Sequence, residues 1–197
     1  MTTLRLLGAT ALAITLSGCA LQLSSPSATP PPVVVLTPTP RGAPTALPTV
    51  TLPTACSYHV AADSDPLPDP RCTPGALNPD VTQDNIRSTI CKPGWTSSVR
   101  PPQRYTDPLK LKMMTAYATT QPARYVELDH LVPLELGGAP WDPANLWPEP
   151  GASPNSKDQV ENMANRAVCS GRVTLDHAQQ QMRANWTVLG EELHILP

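Results

Sequence analysis

Asp129 and His130 stand side by side in an apolar stretch, and they are the residues best suited to acid–base chemistry. An imidazole has an ordinary pKa of roughly 6.5, so it can take a proton from water near neutral pH. A neighbouring carboxylate is a hard oxygen ligand of the kind that divalent cations prefer. A Gly-Gly pair at 137–138 and an Asn-Leu-Trp sequence at 145–147 follow, which indicates a segment that holds both groups in place.

The segment around this pair is predicted to form a strand, a reversal and a return strand. Residues 124–136 have strand propensity, and the Gly-Gly pair at 137–138 permits a tight reversal. "NLWPEP" at 145–150 is predicted to run back along the first strand. Because side chains alternate along a strand, we expect Asp129 and His130 on opposite faces.

Helices are predicted on both sides of the strand pair, which makes the fold class α+β. A short helix is expected over 81–91, and a longer one over 106–118 with Thr106 as its N-cap. After the strands, one helix is expected with Asn155 or Ser156 as its N-cap, and the last one begins after Thr174. The predicted order is helix, strand, turn, strand, helix, helix.

Taken in order, "ELDHLVPLELGG", "NLWPEP" and "NSKDQVEN" resemble the HNH family of nucleases, also called His-Me finger or ββα-metal enzymes. The resemblance covers about residues 81–186 and includes the flanks of Cys91 and Cys169. It implies a small ββα-metal finger, a short antiparallel hairpin plus a helix, at about 125–170. Several helices would surround this finger, and disulfide bonds would cross-link the domain.

The resemblance also implies a role for individual residues. His130 corresponds to the general base that activates water, and Asn145 to the residue that pins the loop and orients His130 through the backbone. Asp129 corresponds to one metal ligand. The family takes its second ligand from the helix, usually as Asn or His; Asn155 is the best candidate here, with Asp158 as its rival.

Substrate contacts and the cofactor follow from the same resemblance. Lys157 and Arg166 are the predicted contacts to phosphate. The expected cofactor is a divalent metal ion, with Mg²⁺ favoured over Mn²⁺ or Zn²⁺ because the ligands are oxygen atoms. The expected partner is nucleic acid, with DNA favoured over RNA.

The charge of the chain argues against tight, non-specific binding to nucleic acid. Two of its 14 basic residues, Arg5 and Arg41, precede residue 56, whereas all 16 acidic residues follow it. The part from 56 to 197 therefore has a formal charge of −4, from 12 basic and 16 acidic residues. A nucleic-acid contact must then be local and assisted by a metal ion.

The cysteines point to an oxidising compartment. Beyond Cys19, four remain, and an even number in an exported protein indicates two disulfides. Three connectivities exist. We favour Cys56–Cys72, which closes a short proline-rich loop, and Cys91–Cys169, which ties the segment before the Asp-His strand to a helix after it.

The N-terminal part has the composition of a targeting segment followed by a tether. Residues 1–18 combine one early positive charge with an apolar run, as in a signal peptide, and "LSGC" resembles the lipobox of bacterial lipoproteins. That resemblance implies lipidation at Cys19 and anchoring to the membrane of the cell envelope, with secretion as the alternative. Residues 19–55 are rich in proline and are predicted to form a disordered tether before the nuclease-like domain at 56–197.

Two functions of different classes are consistent with these patterns. The first is a metal-dependent endonuclease that hydrolyses phosphodiester bonds with His130 as the base. The second is a non-catalytic, disulfide-stapled surface lipoprotein that uses the same finger as a binding scaffold. The acidic balance and the export signal favour the second, and the ordered motifs favour the first.

Overall fold

The structure, a computed structural model, describes residues 52, 55–62, 65–151 and 153–195. All of them belong to one compact unit. The predicted signal segment, Cys19 and all of the predicted tether except Leu52 and Ala55 lie outside the described residues. Within the described part of the chain, no helix has both the length and the apolar character needed to cross a bilayer.

The described chain is a mixed α and β structure with two small antiparallel hairpins. The first pairs β1 (His59–Val60) with β2 (Pro66–Leu67). The helices α1 (Trp95–Val99) and α2 (Gln103–Ala116) follow, then β3 (Val126–His130) and β4 (Leu146–Pro150), and finally α3 (Ser156–Cys169) and α4 (Leu175–Glu192). The mixed helix and strand content agrees with the prediction, and the order from α2 to α4 is the predicted one, whereas the β1–β2 hairpin and helix α1 were not predicted.

Strands β3 and β4 form the hairpin that carries the Asp-His pair. Their register pairs Glu127 with Glu149, Asp129 with Trp147 and His130 with Leu146. The two prolines of β4 are tolerated because a two-stranded sheet leaves every strand with a free edge. Alternation along β3 puts Asp129 and His130 on opposite faces, as expected from the sequence.

The long helices begin at polar caps, with one departure from the prediction. Asn155 caps α3 and Thr174 caps α4 through side-chain bonds to backbone N–H groups. However, α2 begins at Gln103 after Pro102, so the prediction of Thr106 as its N-cap is wrong. The added first turn is held by Tyr105, which is 6% exposed and whose hydroxyl bonds to the backbone near the His130 loop.

Two hydrophobic clusters and two disulfides hold these elements together. One cluster packs α3 and α4 against Val132 and Leu136, and the other packs α2 against Leu131, Leu146 and Trp147. The disulfides join Cys56 to Cys72 and Cys91 to Cys169, with Cα atoms 6.1 and 5.6 Å apart. The favoured cysteine pairing is confirmed, and it is compatible with an extracellular location.

Candidate active site

His130 ends β3 and makes one hydrogen bond through its ring. Its Nε2 lies 3.1 Å from the carbonyl oxygen of Pro140, and the residue is 7% exposed. Because a carbonyl oxygen only accepts, Nε2 carries the proton and Nδ1 keeps an unprotonated lone pair. Burial lowers the pKa of His130 to about 4, so the ring is neutral at physiological pH.

Asn145 holds the loop that supplies this carbonyl group. It is fully buried; its Oδ1 accepts a bond from the Val132 N–H at 2.9 Å, and its Nδ2 donates to the carbonyls of Val132 and Ala139. Ala139 directly precedes Pro140, so the position of the His130 partner depends on Asn145. The resemblance implied that Asn145 pins this loop, and its role in orienting His130 for catalysis stays a prediction.

The Gly-Gly pair permits the close approach between this loop and β3. Gly137 has φ +77°, a left-handed conformation that strongly favours glycine. At Gly138, a Cβ atom would lie 1.8 Å from the carbonyl oxygen of Val132 and 2.6 Å from Asn145 Nδ2. No side chain fits at Gly138. The second glycine is therefore required by the close contact with neighbouring atoms and not by its backbone conformation.

Asp129 lies on the other face of β3, inside a network of hydrogen bonds. Its Oδ2 accepts from Lys157 Nζ at 2.6 Å and from Trp147 Nε1 at 3.0 Å. The side chain is 14% exposed. This carboxylate is thus already engaged by an internal cation and an indole.

Lys157 is the cation of that network and is 1% exposed. Besides Asp129, its ammonium contacts the Glu161 carboxylate and donates to the backbone carbonyl of His130 at 3.1 Å. Burial alone lowers the pKa of Lys157, but the nearby acidic groups, first of all Asp129, outweigh it and hold that pKa above its usual range. Burial between two carboxylates argues against the predicted contact of Lys157 with phosphate.

Two further carboxylates lie on the Asp129 side and were missed from the sequence. Glu149 is 4% exposed, and burial together with the charge of Asp129 raises its pKa to about 9. Glu127 pairs with it across the strands, and Glu127 Oε2 is buried without a hydrogen-bond partner among the described residues. Period-two spacing from Asp129 places Glu127 on this face and would have indicated it.

The other predicted metal ligands are committed to the start of α3. Asn155 Oδ1 accepts from the Asp158 N–H at 3.2 Å, and Asp158 Oδ2 accepts from the Asn155 N–H at 2.8 Å and from Ser153 Oγ at 3.0 Å. This is a capping box. Among the described residues, no three His, Cys, Asp or Glu side chains are grouped to hold a metal ion. In this arrangement Asp129 and the Asn155–Asp158 pair lie in two different hydrogen-bond networks, and the metal site stays a prediction.

Arg166, the second predicted phosphate contact, is exposed on α3. Its guanidinium donates to Met163 Sδ at 3.1 Å, and its charge acts on Glu135, opposing the rise in the pKa of that carboxyl that burial causes. The site residues thus divide: Asn145 and His130 share one loop, Asp129 and Lys157 share one ion network, and Asn155 and Asp158 share one helix cap.

Comparison with protein-family models, with curated proteins and with solved structures finds no match for this chain. The resemblance to the HNH family stays a prediction that rests on the quoted motifs.

Proposed function

We propose that the protein is a phosphodiester hydrolase of the HNH endonuclease type. The observation that carries the proposal is the hydrogen bond from His130 Nε2 to the Pro140 carbonyl, which leaves the Nδ1 lone pair to act as a base. The order of β3, β4 and α3 is the order expected of a ββα-metal finger. Nucleic acid is the substrate class that the quoted motifs favour.

In the proposed reaction, Nδ1 of His130 takes one proton from a water molecule. The oxygen of that water attacks phosphorus, the ester bond to the leaving oxygen breaks, and the leaving oxygen is protonated by solvent. The bond to Pro140 keeps the imidazole in one tautomer and one orientation while its charge changes. Asn145 fixes the preceding residue of the loop by donating to the carbonyl of Ala139.

A divalent ion stays part of the prediction, and the proposed steps use only the residues of this chain and water. The cited hydrogen bonds of Asp129 and Asp158 all involve Oδ2. Activity with added Mg²⁺, Mn²⁺ or Zn²⁺, compared with activity in a chelator, tests this part separately.

The alternative function, a non-catalytic surface protein, is favoured by a different observation. His130 is only 7% exposed, and the ammonium of Lys157 forms an ion pair with the Asp129 carboxylate. A binding scaffold needs neither an accessible base nor a metal ion. In both versions we propose that the protein acts outside the cytoplasm, anchored through Cys19 or secreted; the two disulfides support an oxidising compartment.

The deciding experiment is plasmid nicking and RNA cleavage by the purified, oxidised full chain. His130→Ala is expected to lose about 10²- to 10⁴-fold in rate, the usual contribution of a general base. The matched control is His177→Ala, because His177 is an exposed histidine on α4. Robust cleavage by His130→Ala contradicts the proposed base, and absence of cleavage by the wild type with every ion favours the scaffold.

A further inference from the structure

The basic residues of the folded part are unevenly distributed, and α2 with the turn after it holds an excess of them. Residues 103–124 contain four of the 12 basic residues of 56–197 and one of its 16 acidic residues. This segment has a formal charge of +3, whereas the rest of 56–197, with eight basic and 15 acidic residues, has a charge of −7. A local contact with nucleic acid, which the overall charge requires, is therefore best placed on this segment.

The four cations of this segment lie on the solvent side of α2 and on the turn that packs beside it. Three are exposed and one is half-buried: Arg104, Lys112 and Arg124, and Lys110. Lys110 Nζ donates to the Ala123 carbonyl at 2.7 Å, which holds the 3₁₀ turn Ala123–Tyr125 against α2. The Arg124 guanidinium lies over the Tyr125 ring, 4.5 Å from its centroid. The four cations together are called the α2 basic surface below.

The α2 basic surface is available to a ligand because its charges are not used internally. None of its four cations forms an ion pair with any described residue. Asp107, the acidic residue of the segment, is exposed and also lies outside the ion pairs of the described chain. Lys157 is different, since it is buried between two carboxylates. Unpaired cations grouped on one surface attract a partner with closely spaced negative charges.

The opposite face of α2 packs against the hairpin that carries His130. Met113 is fully buried in the same hydrophobic cluster as the first two residues of β4. In the first turn of the helix, the Tyr105 hydroxyl donates to the Trp141 carbonyl at 2.5 Å. Trp141 directly follows Pro140, whose carbonyl oxygen accepts from His130. The inner face of α2 thus fixes the helix to the candidate site, and its outer face stays free for a partner.

We propose that the α2 basic surface binds the sugar–phosphate backbone of the nucleic acid on which His130 acts. The substrate class rests on the proposed nuclease function, and the surface takes the place of the predicted phosphate contact of Lys157. Leu111 is the exposed large apolar residue of α2, so this helix lacks the broad apolar face with which a helix enters the surface of a bilayer. Cations without such a face favour nucleic acid over an anionic membrane. Backbone contacts of this kind position the substrate without reading its sequence.

The test removes three of the four cations together: Arg104→Gln, Lys112→Gln and Arg124→Gln. Lys110 is kept because its bond holds the turn. The matched control also removes two arginines and one lysine, all exposed and outside the ion pairs of the described chain: Arg87→Gln, Lys92→Gln and Arg172→Gln. A third protein keeps the charges and changes the side chains: Arg104→Lys, Lys112→Arg and Arg124→Lys. All three are made in a His130→Ala parent, so that substrate is not consumed, and thermal melts verify that each one folds.

Binding of a fluorescent DNA duplex, a DNA single strand and an RNA single strand is measured as a function of salt. Loss of three phosphate contacts is expected to make the slope of log K against log salt shallower by about 2.7 for the duplex and about 2.1 for single strands. The matched control and the charge-keeping protein are expected to have the slope of the parent. An equal loss of slope in either of them overturns the proposal, because the effect is then not specific to the charges of this surface.

Cleavage by the wild type, measured in parallel, separates this proposal from the proposed function. If the parent binds, the wild type never cleaves and the slope falls in the triple Gln variant of α2, then hydrolysis fails and the binding surface stands. If the wild type cleaves and this variant keeps the slope of the parent, the surface is overturned and the hydrolase stands. A parent that binds vesicles of phosphatidylglycerol through these cations, but binds no nucleic acid, overturns the proposal and identifies a membrane as the occupant.

Discussion

The two faces of the β3–β4 hairpin treat their ionisable groups in opposite ways. On one face, the His130 ring makes one hydrogen bond among the described residues, to a backbone carbonyl, and burial keeps the ring neutral. On the other face, Asp129 shares one oxygen between Lys157 and Trp147, and Glu149 is buried nearby. The histidine side keeps a lone pair free for chemistry, whereas the aspartate side uses its charges internally.

The difference separates a group that can react from a network that supports it. Lys157 connects the two faces because its ammonium contacts both the Asp129 carboxylate and the backbone carbonyl of His130. The ion network thereby holds the end of β3 against α3. We interpret the Asp129 face as the support of the His130 face, and substitutions on each side test that division.

The largest effect is expected from Lys157→Met, which breaks the ion network. Removal of the ammonium leaves Asp129 and Glu161 as nearly buried carboxylates without a counterion, and we expect a loss of about 3 kcal/mol or more in the free energy of unfolding. Urea denaturation measures it, with the exposed Lys112→Met as the control. A loss below about 1 kcal/mol would show that the network does not support the hairpin.

The second effect is expected from Asn145→Ala on the His130 face. The substitution leaves the Val132 N–H and the carbonyls of Val132 and Ala139 without their partner, at a cost of about 2 to 3 kcal/mol. Cleavage should fall as well, because Pro140 loses its fixed position. The control is Asn162→Ala, an exposed asparagine with one bond to the α3 backbone; equal melting temperatures for the two variants would contradict the account.

The sequence predicted the local contacts of the site and missed the long-range ones. The Asn155 cap and the alternation of Asp129 and His130 depend on near neighbours in the sequence, so the local pattern was sufficient. Lys157 lies 28 residues from Asp129 in sequence, and its burial follows from how α3 packs on β3. From the sequence alone, a lysine at the start of a helix is expected to lie at the surface, where it could contact phosphate.

The first turn of α2 escaped prediction for a related reason. The prediction of Thr106 as the N-cap left out that turn, which carries Tyr105. Its contact with Trp141 is a tertiary one that no local pattern reveals.

The third prediction concerns the pH dependence of stability on the Asp129 face. Because the pKa of Glu149 is raised to about 9 in the folded protein, its contribution is fully present below the ordinary pKa of about 4.5 and is lost as pH rises toward 9. Glu149→Gln should flatten this decline between pH 5 and 9, because a glutamine has no proton to lose. The exposed Glu191→Gln is the control. If the pH dependence of the free energy of unfolding is unchanged in Glu149→Gln, Glu149 is not a buried, protonated carboxyl in the folded protein.

The pH profile of cleavage by the wild type and by His130→Ala tests the central claim most directly. Because burial lowers the pKa of His130 to about 4, the base stays neutral as pH falls from 8 to about 5. The account predicts a nearly constant kcat/KM over that range, an acid limb near pH 4, and a rate lower by about 10²- to 10⁴-fold without this limb in His130→Ala. Superimposable profiles for the two proteins, or a wild-type limb near pH 6.5, would contradict His130 as the buried, neutral base.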